Sequence, residues 1–307
     1  MFKNARFYRL TGPWPETETA LSEALSGARF EPCGPLTEKT SGWEPPSADP
    51  SGSFSRRVAG ADLLQLRSQN RLLPAAAINE ALETRLEEFR ERMAQEPGRR
   101  EKRRLKDQTR DELLPKALLR SERTKGCLFI AENIFAIDAG TPAKAERFLE
   151  YLRAPLGSVD PVPLAFKASM GNLLTRIFLG DPPGGISLGR ECRMQDPVDN
   201  RASVRWADMD LADASIRKHV RDGMKLSHLG IQYGSVMSCV LDEHGALSKI
   251  KFLGMDAKDE TEDEDPLARF DAEFVVLTGT LRELLKTLTE ALGGVDMQAG
   301  TEGFSRG

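Results

Sequence analysis

Residues 78–119 read INEALETRLEEFRERMAQEPGRREKRRLKDQTRDELLPKALL, and this stretch decides how the rest of the chain is divided. Its first half carries Ile78, Leu82, Leu86, Phe89 and Met93 at steps of four and three. That spacing stacks them on one face of an amphipathic helix. Pro97-Gly98 interrupts the helix, and a second helical stretch of different character follows. Within residues 99–110, seven basic side chains (Arg99, Arg100, Lys102, Arg103, Arg104, Lys106 and Arg110) stand against two acids, Glu101 and Asp107. Pro115 ends or kinks this segment, because it lacks the backbone donor and crowds the preceding turn. The whole chain has a net charge of −4, so the basic run is a local concentration. Such a run suits a polyanion, since each neutralised phosphate releases condensed counterions. A solvated helix face, an acidic protein and a membrane surface remain the alternatives.

The flanks of this stretch alternate between strand and helix. Residues 2–10, FKNARFYRL, suit a strand, and 16–25 a short helix. Phe30 and Cys33 belong to a strand, and Ser41 to Pro46 to a turn-rich loop. Two more strands are expected at 53–58 and 62–67. Beyond the basic run, 120–132 and 134–138 pair as a hairpin. Thr141-Pro142 caps a helix expected to stop before Pro155. A proline-rich crossing at 159–163 marks a domain boundary. A short helix at 173–179 follows, then strands at 186–194, 203–208, 225–233, 236–241 and 246–252, with a helix around Ile216 and Val220. Phe274 to Leu277 reads as a strand, and Thr280 to Glu283 as a capping box opening a leucine-faced helix. The acids of 256–265 suit a solvated loop. The irregular order of elements predicts an α+β fold with mixed sheets and a protruding helical basic segment. Residues 1–74 with 117–163 form a central β-rich α+β domain, 75–116 the helical basic tip, 164–295 a second α+β domain, and 296–307 a disordered tail.

The totals narrow the class. A chain of 307 residues, 40% hydrophobic and 29% charged, is globular. No apolar run reaches the ~18 residues that a membrane helix needs, and no signal peptide is visible. The four cysteines (Cys33, Cys127, Cys192 and Cys239) form no C-x-x-C pair, which suits buried free thiols in a reducing cytoplasm. Catalytic constellations are missing from the sequence. There is no phosphate-cradling G-x-x-x-x-G-K-[ST] and no G-x-S-x-G elbow. His219, His228 and His244 form no zinc pattern. Asp138 is the best-placed single acid for a metal-dependent nuclease, without an evident partner. The expectation is a protein that is not an enzyme and uses no cofactor or metal.

Several blocks resemble the recombination-associated RdgC family of proteobacteria. They are FKNARFYRL at 2–10, FEPCGP at 30–35, SGWEPP at 41–46, LLPAAAINEALE at 72–83, LKDQTRDELLPKAL at 105–118, AKAERFLEYLRAPLGSVDPVPL at 143–164, and RFDAEFVVLTGTLRELLKTLTEALGG at 269–294. They keep the family's order and cover most of the chain; residues 166–200 match least. The resemblance implies a non-enzymatic, ring-forming homodimer that encircles double-stranded DNA, also binds single-stranded DNA, and shows little sequence preference. It implies antagonism of the RecA recombinase at replication and repair sites, and a cytoplasmic, nucleoid-associated location with no membrane partner. The alternative is an interaction scaffold for an acidic partner or for the recombinase itself. The expected DNA contacts are Arg99, Arg100, Lys102, Arg103, Arg104, Lys106 and Arg110, with Lys116, Arg120 and Arg123 beside them. Leu118 falls where the family closes its ring, as a dimer gate. The family's basic finger falls at 204–210, where its lysines are missing; Arg201 and Arg205 are the substitutes for them, and Arg205 joins the expected DNA contacts. Trp206 either stacks on DNA there or is buried without a DNA role.

Overall fold

In a computed structural model of the chain, residues 1–47, 51–157, 159–199, 202–254 and 265–299 are described. The chain divides into two compact units. One comprises Met1–Leu25, Pro45–Gln65 and Thr124–Gly307; the other comprises Ser26–Glu44 and Leu66–Arg123.

The first unit is built on strands that bury both faces. β1 (Arg6–Leu10) pairs antiparallel with β6 (Ile134–Ile137) on one side and β7 (Pro161–Pro163) on the other. β6 pairs with the end of β5 (Leu118–Phe129), and β3 (Ser55–Val58) with the start of β4 (Ala61–Leu72). Register puts Tyr8 opposite Phe135 and Phe135 opposite Leu128, while Phe7, Ala136 and Cys127 line up one residue away. Successive strand side chains point to opposite faces, so these are two separate apolar layers. The Phe135 layer meets Phe148 of α4 (Pro142–Leu156), with ring centroids 5.8 Å apart. The Cys127 layer joins the core with α5 (Met170–Leu179) and α7 (Pro266–Ala291). The strand edge is tied by Asp62, whose buried carboxylate accepts from Arg57 Nε and Nη2 at 2.6 and 2.7 Å and from the Trp14 indole at 2.7 Å.

A second sheet in this unit runs β12-β11-β10-β8-β9, with β8 Ile186–Gln195, β9 Ser203–Trp206, β10 Lys225–Tyr233, β11 Met237–Asp242 and β12 Leu247–Phe252. Its inner face packs Met194, Leu229, Ile231, Met237 and Leu241 against α5 and Ile216 of α6 (Ala214–Arg221). The smaller unit contains β2 (Lys39–Glu44), the outer halves of β4 and β5, and two helices, α2 (Ala75–Met93) and α3 (Arg99–Leu113).

The α+β class holds, with two antiparallel sheets. Five expected features differ. Phe30 and Cys33 lie outside any strand. Phe274 to Leu277 is not a strand. It lies inside α7, because Phe274, Leu277, Leu281, Leu284 and Leu288 recur at helical spacing and are all buried. The Thr280 hydroxyl does not cap a helix; it donates back to Val276 O at 2.8 Å, and the true N-cap is Asp265, which accepts from Leu267 N. α4 runs through Pro155 to Leu156, and Ser41 to Glu44 is strand β2 rather than loop. Thr141 does cap α4, accepting from Lys144 N. Arg201, residues 256–264 and the tail beyond 299 lie outside the described residues.

Candidate nucleic-acid interface

The basic run forms the surface of α3. Gly98 occupies its N-cap position, and Ala94 at φ 52° closes α2. Leu105 and Leu113 are half-buried and Thr109 is buried, its hydroxyl donating to Leu105 O at 2.7 Å. These residues recur every four positions and mark the inner face. At 100° per residue, Arg99, Arg103, Lys106 and Arg110 share a stripe pointing elsewhere, and Arg100 and Arg104 lie on the side opposite the inner face. The stripe is roughly 16 Å long at 1.5 Å per residue. Arg99, Arg100, Lys102, Arg103, Arg104, Lys106 and Arg110 are all exposed.

Ion pairing divides these cations. Arg104 meets Glu101 at 2.6 Å, and Arg110 pairs with Glu38. Among the described residues no ion pair engages Arg99, Arg100, Lys102, Arg103 or Lys106. Five unpaired cations on one short helix repel one another, and a polyanion relieves that repulsion. The apolar stripe of α2 is only half-buried at Ile78, Leu82, Leu86 and Phe89, and Met93 is exposed, so α2 buries no residue fully. An Arg85–Glu112 pair links α2 to α3.

The base of the two helices is organised by Arg71. Its Nη1 donates to Leu114 O at 3.2 Å and Pro115 O at 3.1 Å, and its Nη2 to Gly34 O at 3.0 Å. These bonds hold the 3-10 turn Leu114–Lys116, where Pro115 ends the helical segment. Lys116 and Arg120 are exposed, as is Arg123, which pairs with Glu44 at 2.5 Å. Leu118 starts β5 with 76% of its surface exposed, a large apolar side chain left in solvent. Arg205 lies on β9, outside this group, 3.6 Å from Glu191. Trp206 is half-buried, its ring 5.0 Å from His219 and packed on the core.

The candidate acid Asp138 has structural partners, and the four cysteines are buried. Asp138 accepts from the backbone of Asn4 at 2.9 Å and of Lys3 at 3.2 Å. Burial raises the thiol pKa of Cys127, and it pushes Cys192 and Cys239 up to about 12. Such thiols are poor nucleophiles. Among the described residues no three His, Cys, Asp or Glu side chains group as metal ligands, and no helix is long and apolar enough to cross a membrane.

Fold and surface together define an α+β protein that carries a helical cationic stripe. The chain belongs to the RdgC family: the family model described as "Putative exonuclease, RdgC" matches residues 1–295. The chain is 32% identical over 296 residues to the recombination-associated protein RdgC of Stenotrophomonas maltophilia, covering 94% of this chain and 97% of that protein. It is 29% identical to the protein of the same name in Sodalis glossinidius (95% and 97% covered) and 28% to that of Aeromonas hydrophila (95% and 98%). By membership it is a recombination-associated protein. The relatives' names denote no enzyme, in contrast to the exonuclease of the family description.

Proposed function

We propose that this protein binds DNA through the phosphate backbone with little sequence preference, acting as a homodimeric ring around the duplex. It thereby competes with the RecA recombinase for DNA at replication and repair sites in the nucleoid. The observation that carries this is the basic surface of α3, where the exposed cations Arg99, Arg100, Lys102, Arg103 and Lys106 have no ion-pair partner among the described residues. Phosphate contacts of this kind set position and affinity but carry no base sequence. Exposed Leu118 supplies an apolar contact suited to closing the ring.

The test replaces Arg99, Arg100, Arg103 and Arg104 together by alanine. Each lost phosphate contact lowers the log–log salt slope by about 0.9, so the slope for duplex DNA falls by roughly 3–4. Affinity drops equally for unrelated sequences. Unchanged affinity and slope would refute the assignment. Incubating the wild type with labelled duplex and magnesium separates this proposal from a nuclease: intact DNA is expected, and shortened ends would contradict it.

A further inference from the structure

The outer face of the five-stranded sheet is concave. A hollow of about 450 Å³ lies on it, adjoining a second of about 230 Å³. Glu191, Arg205, Val240 and Lys249 line both, so the two form one trough with these residues at its middle. Three backbone irregularities shape it. Leu229 pairs with Cys192 and Ile231 with Leu188, so Gly189, Arg190 and Glu191 all oppose Gly230. A Cβ on Gly189 would stand 2.6 Å from the carbonyl carbon of Gly230, so only glycine permits this approach. On β12, Lys249 and Ile250 together oppose Cys239, and Lys249 takes φ 53°. Asp208, which also lines the trough, takes φ 57°. Bulges re-aim side chains, and left-handed non-glycine residues gather at functional sites.

The re-aimed side chains are mostly cationic. Lys249 pairs with Glu191, and Arg205 approaches the same carboxylate at 3.6 Å. Arg190 is held by Asp208 at 2.7 Å. Arg193 and Lys251 are exposed and form no ion pair among the described residues. One carboxylate thus sits between two cations from different strands, where a phosphate would fit. A hollow of this size falls within the range of small-ligand sites, roughly 300–1,000 Å³. It admits a nucleotide or two, and a whole base-paired helix is too thick to enter it.

We propose that this trough binds the backbone of a single nucleic-acid strand. Arg205 and Lys249 take one phosphate, Lys251 and Arg193 flank it, and Glu191 is a resident counter-charge that the phosphate displaces. The proposal rests on the DNA-binding function above and extends it to a second surface. It makes an unusual demand: removing one charge must tighten binding, while removing its neighbours must weaken it.

The experiment measures binding of a ~8-nucleotide thymidine oligomer, within the usual single-strand site size, and of a duplex to the full chain. A unit charge about 4 Å away in a water-like medium changes an equilibrium about five-fold, so Glu191→Gln tightens the oligomer by about that factor. Lys249→Ala with Lys251→Ala weakens it, and its salt slope falls by about 1.4, or 0.7 per phosphate. Duplex affinity changes little in either variant. Lys251→Glu, at an exposed residue, keeps the test decisive if Glu191→Gln fails to fold; it too must weaken the oligomer. If the duplex binds normally but the oligomer is indifferent to these substitutions, the trough is not the site and duplex binding stands. If the wild type holds neither DNA, both proposals fall.

Discussion

Replacing Arg71 by alanine should loosen the base of the basic helices without removing any cation of α3. The half-buried guanidinium spans two segments, with Nη1 shared by Leu114 O and Pro115 O at 3.2 and 3.1 Å and the other edge on Gly34 O at 3.0–3.3 Å. A hydrogen bond from a charged donor contributes about 1.5–3 kcal/mol net. The shared Nη1 donor counts as about one bond and the Gly34 fork as another, and water can reach part of the site. The expected loss is therefore about 3 kcal/mol, or roughly a hundred-fold in a local opening equilibrium. Amide hydrogen exchange at Ala117, whose N–H donates to Leu114 O at 3.1 Å, reads this directly. Protection there should fall by about that factor, whereas Leu128 in the other unit should hold. Arg71→Lys keeps the charge but not the planar fork, and should recover only part of the loss. Unaltered protection at Ala117 in Arg71→Ala would refute the view that this side chain holds the turn.

Three other outcomes follow from buried and exposed groups. Burial raises the pKa of Cys192 and Cys239 to about 12, above that of an unfolded thiol, about 8.5, so their contribution is complete below that pH and is lost as pH rises towards about 12; burial shifts Cys127 in the same direction. Each thiol then costs roughly 1.4 kcal/mol per pH unit; urea midpoints should fall less steeply above about pH 9 in a Cys192→Ala, Cys239→Ala variant, and an identical fall would contradict this. Asp62→Ala leaves Arg57 and the Trp14 indole without their buried acceptor. It should cost about 3 kcal/mol by denaturant titration, and a change under about 0.5 kcal/mol would rule out a stabilising role. Leu118→Asp should shift the mass seen by light scattering from dimer towards monomer, since a charge cannot fill an apolar contact; an unshifted dimer would remove Leu118 from the interface.

How much was legible in the sequence depended on whether the signal was contiguous. The basic run declares itself because its cations fall within one helix, and a period of 3.6 places them. Cap chemistry located α4 at Thr141-Pro142 for the same local reason. Local propensity misled where tertiary burial outweighed it: Phe274-Val275-Val276-Leu277 favours a strand, yet Phe274 and Leu277 are buried as part of a seven-turn helix while Val275 and Val276 stay exposed. Asp138 looked like a candidate acid, and it is occupied by the N-terminal backbone. The trough was legible only at Arg205. Glu191, Lys249 and Lys251 come from other strands, and it is two bulges that bring them together. A bulge's register is set by sheet pairing, which no local pattern announces.

The central claim is tested most directly by equilibrium binding of the full chain to two unrelated ~40-base-pair duplexes across a salt series, with the bound chains counted. The account predicts equal affinities, a log–log salt slope of several units, and two chains on each duplex. Strong preference for one sequence, or retention that salt does not weaken, would contradict it. So would no binding at low salt, which would leave the α3 stripe to an acidic protein partner.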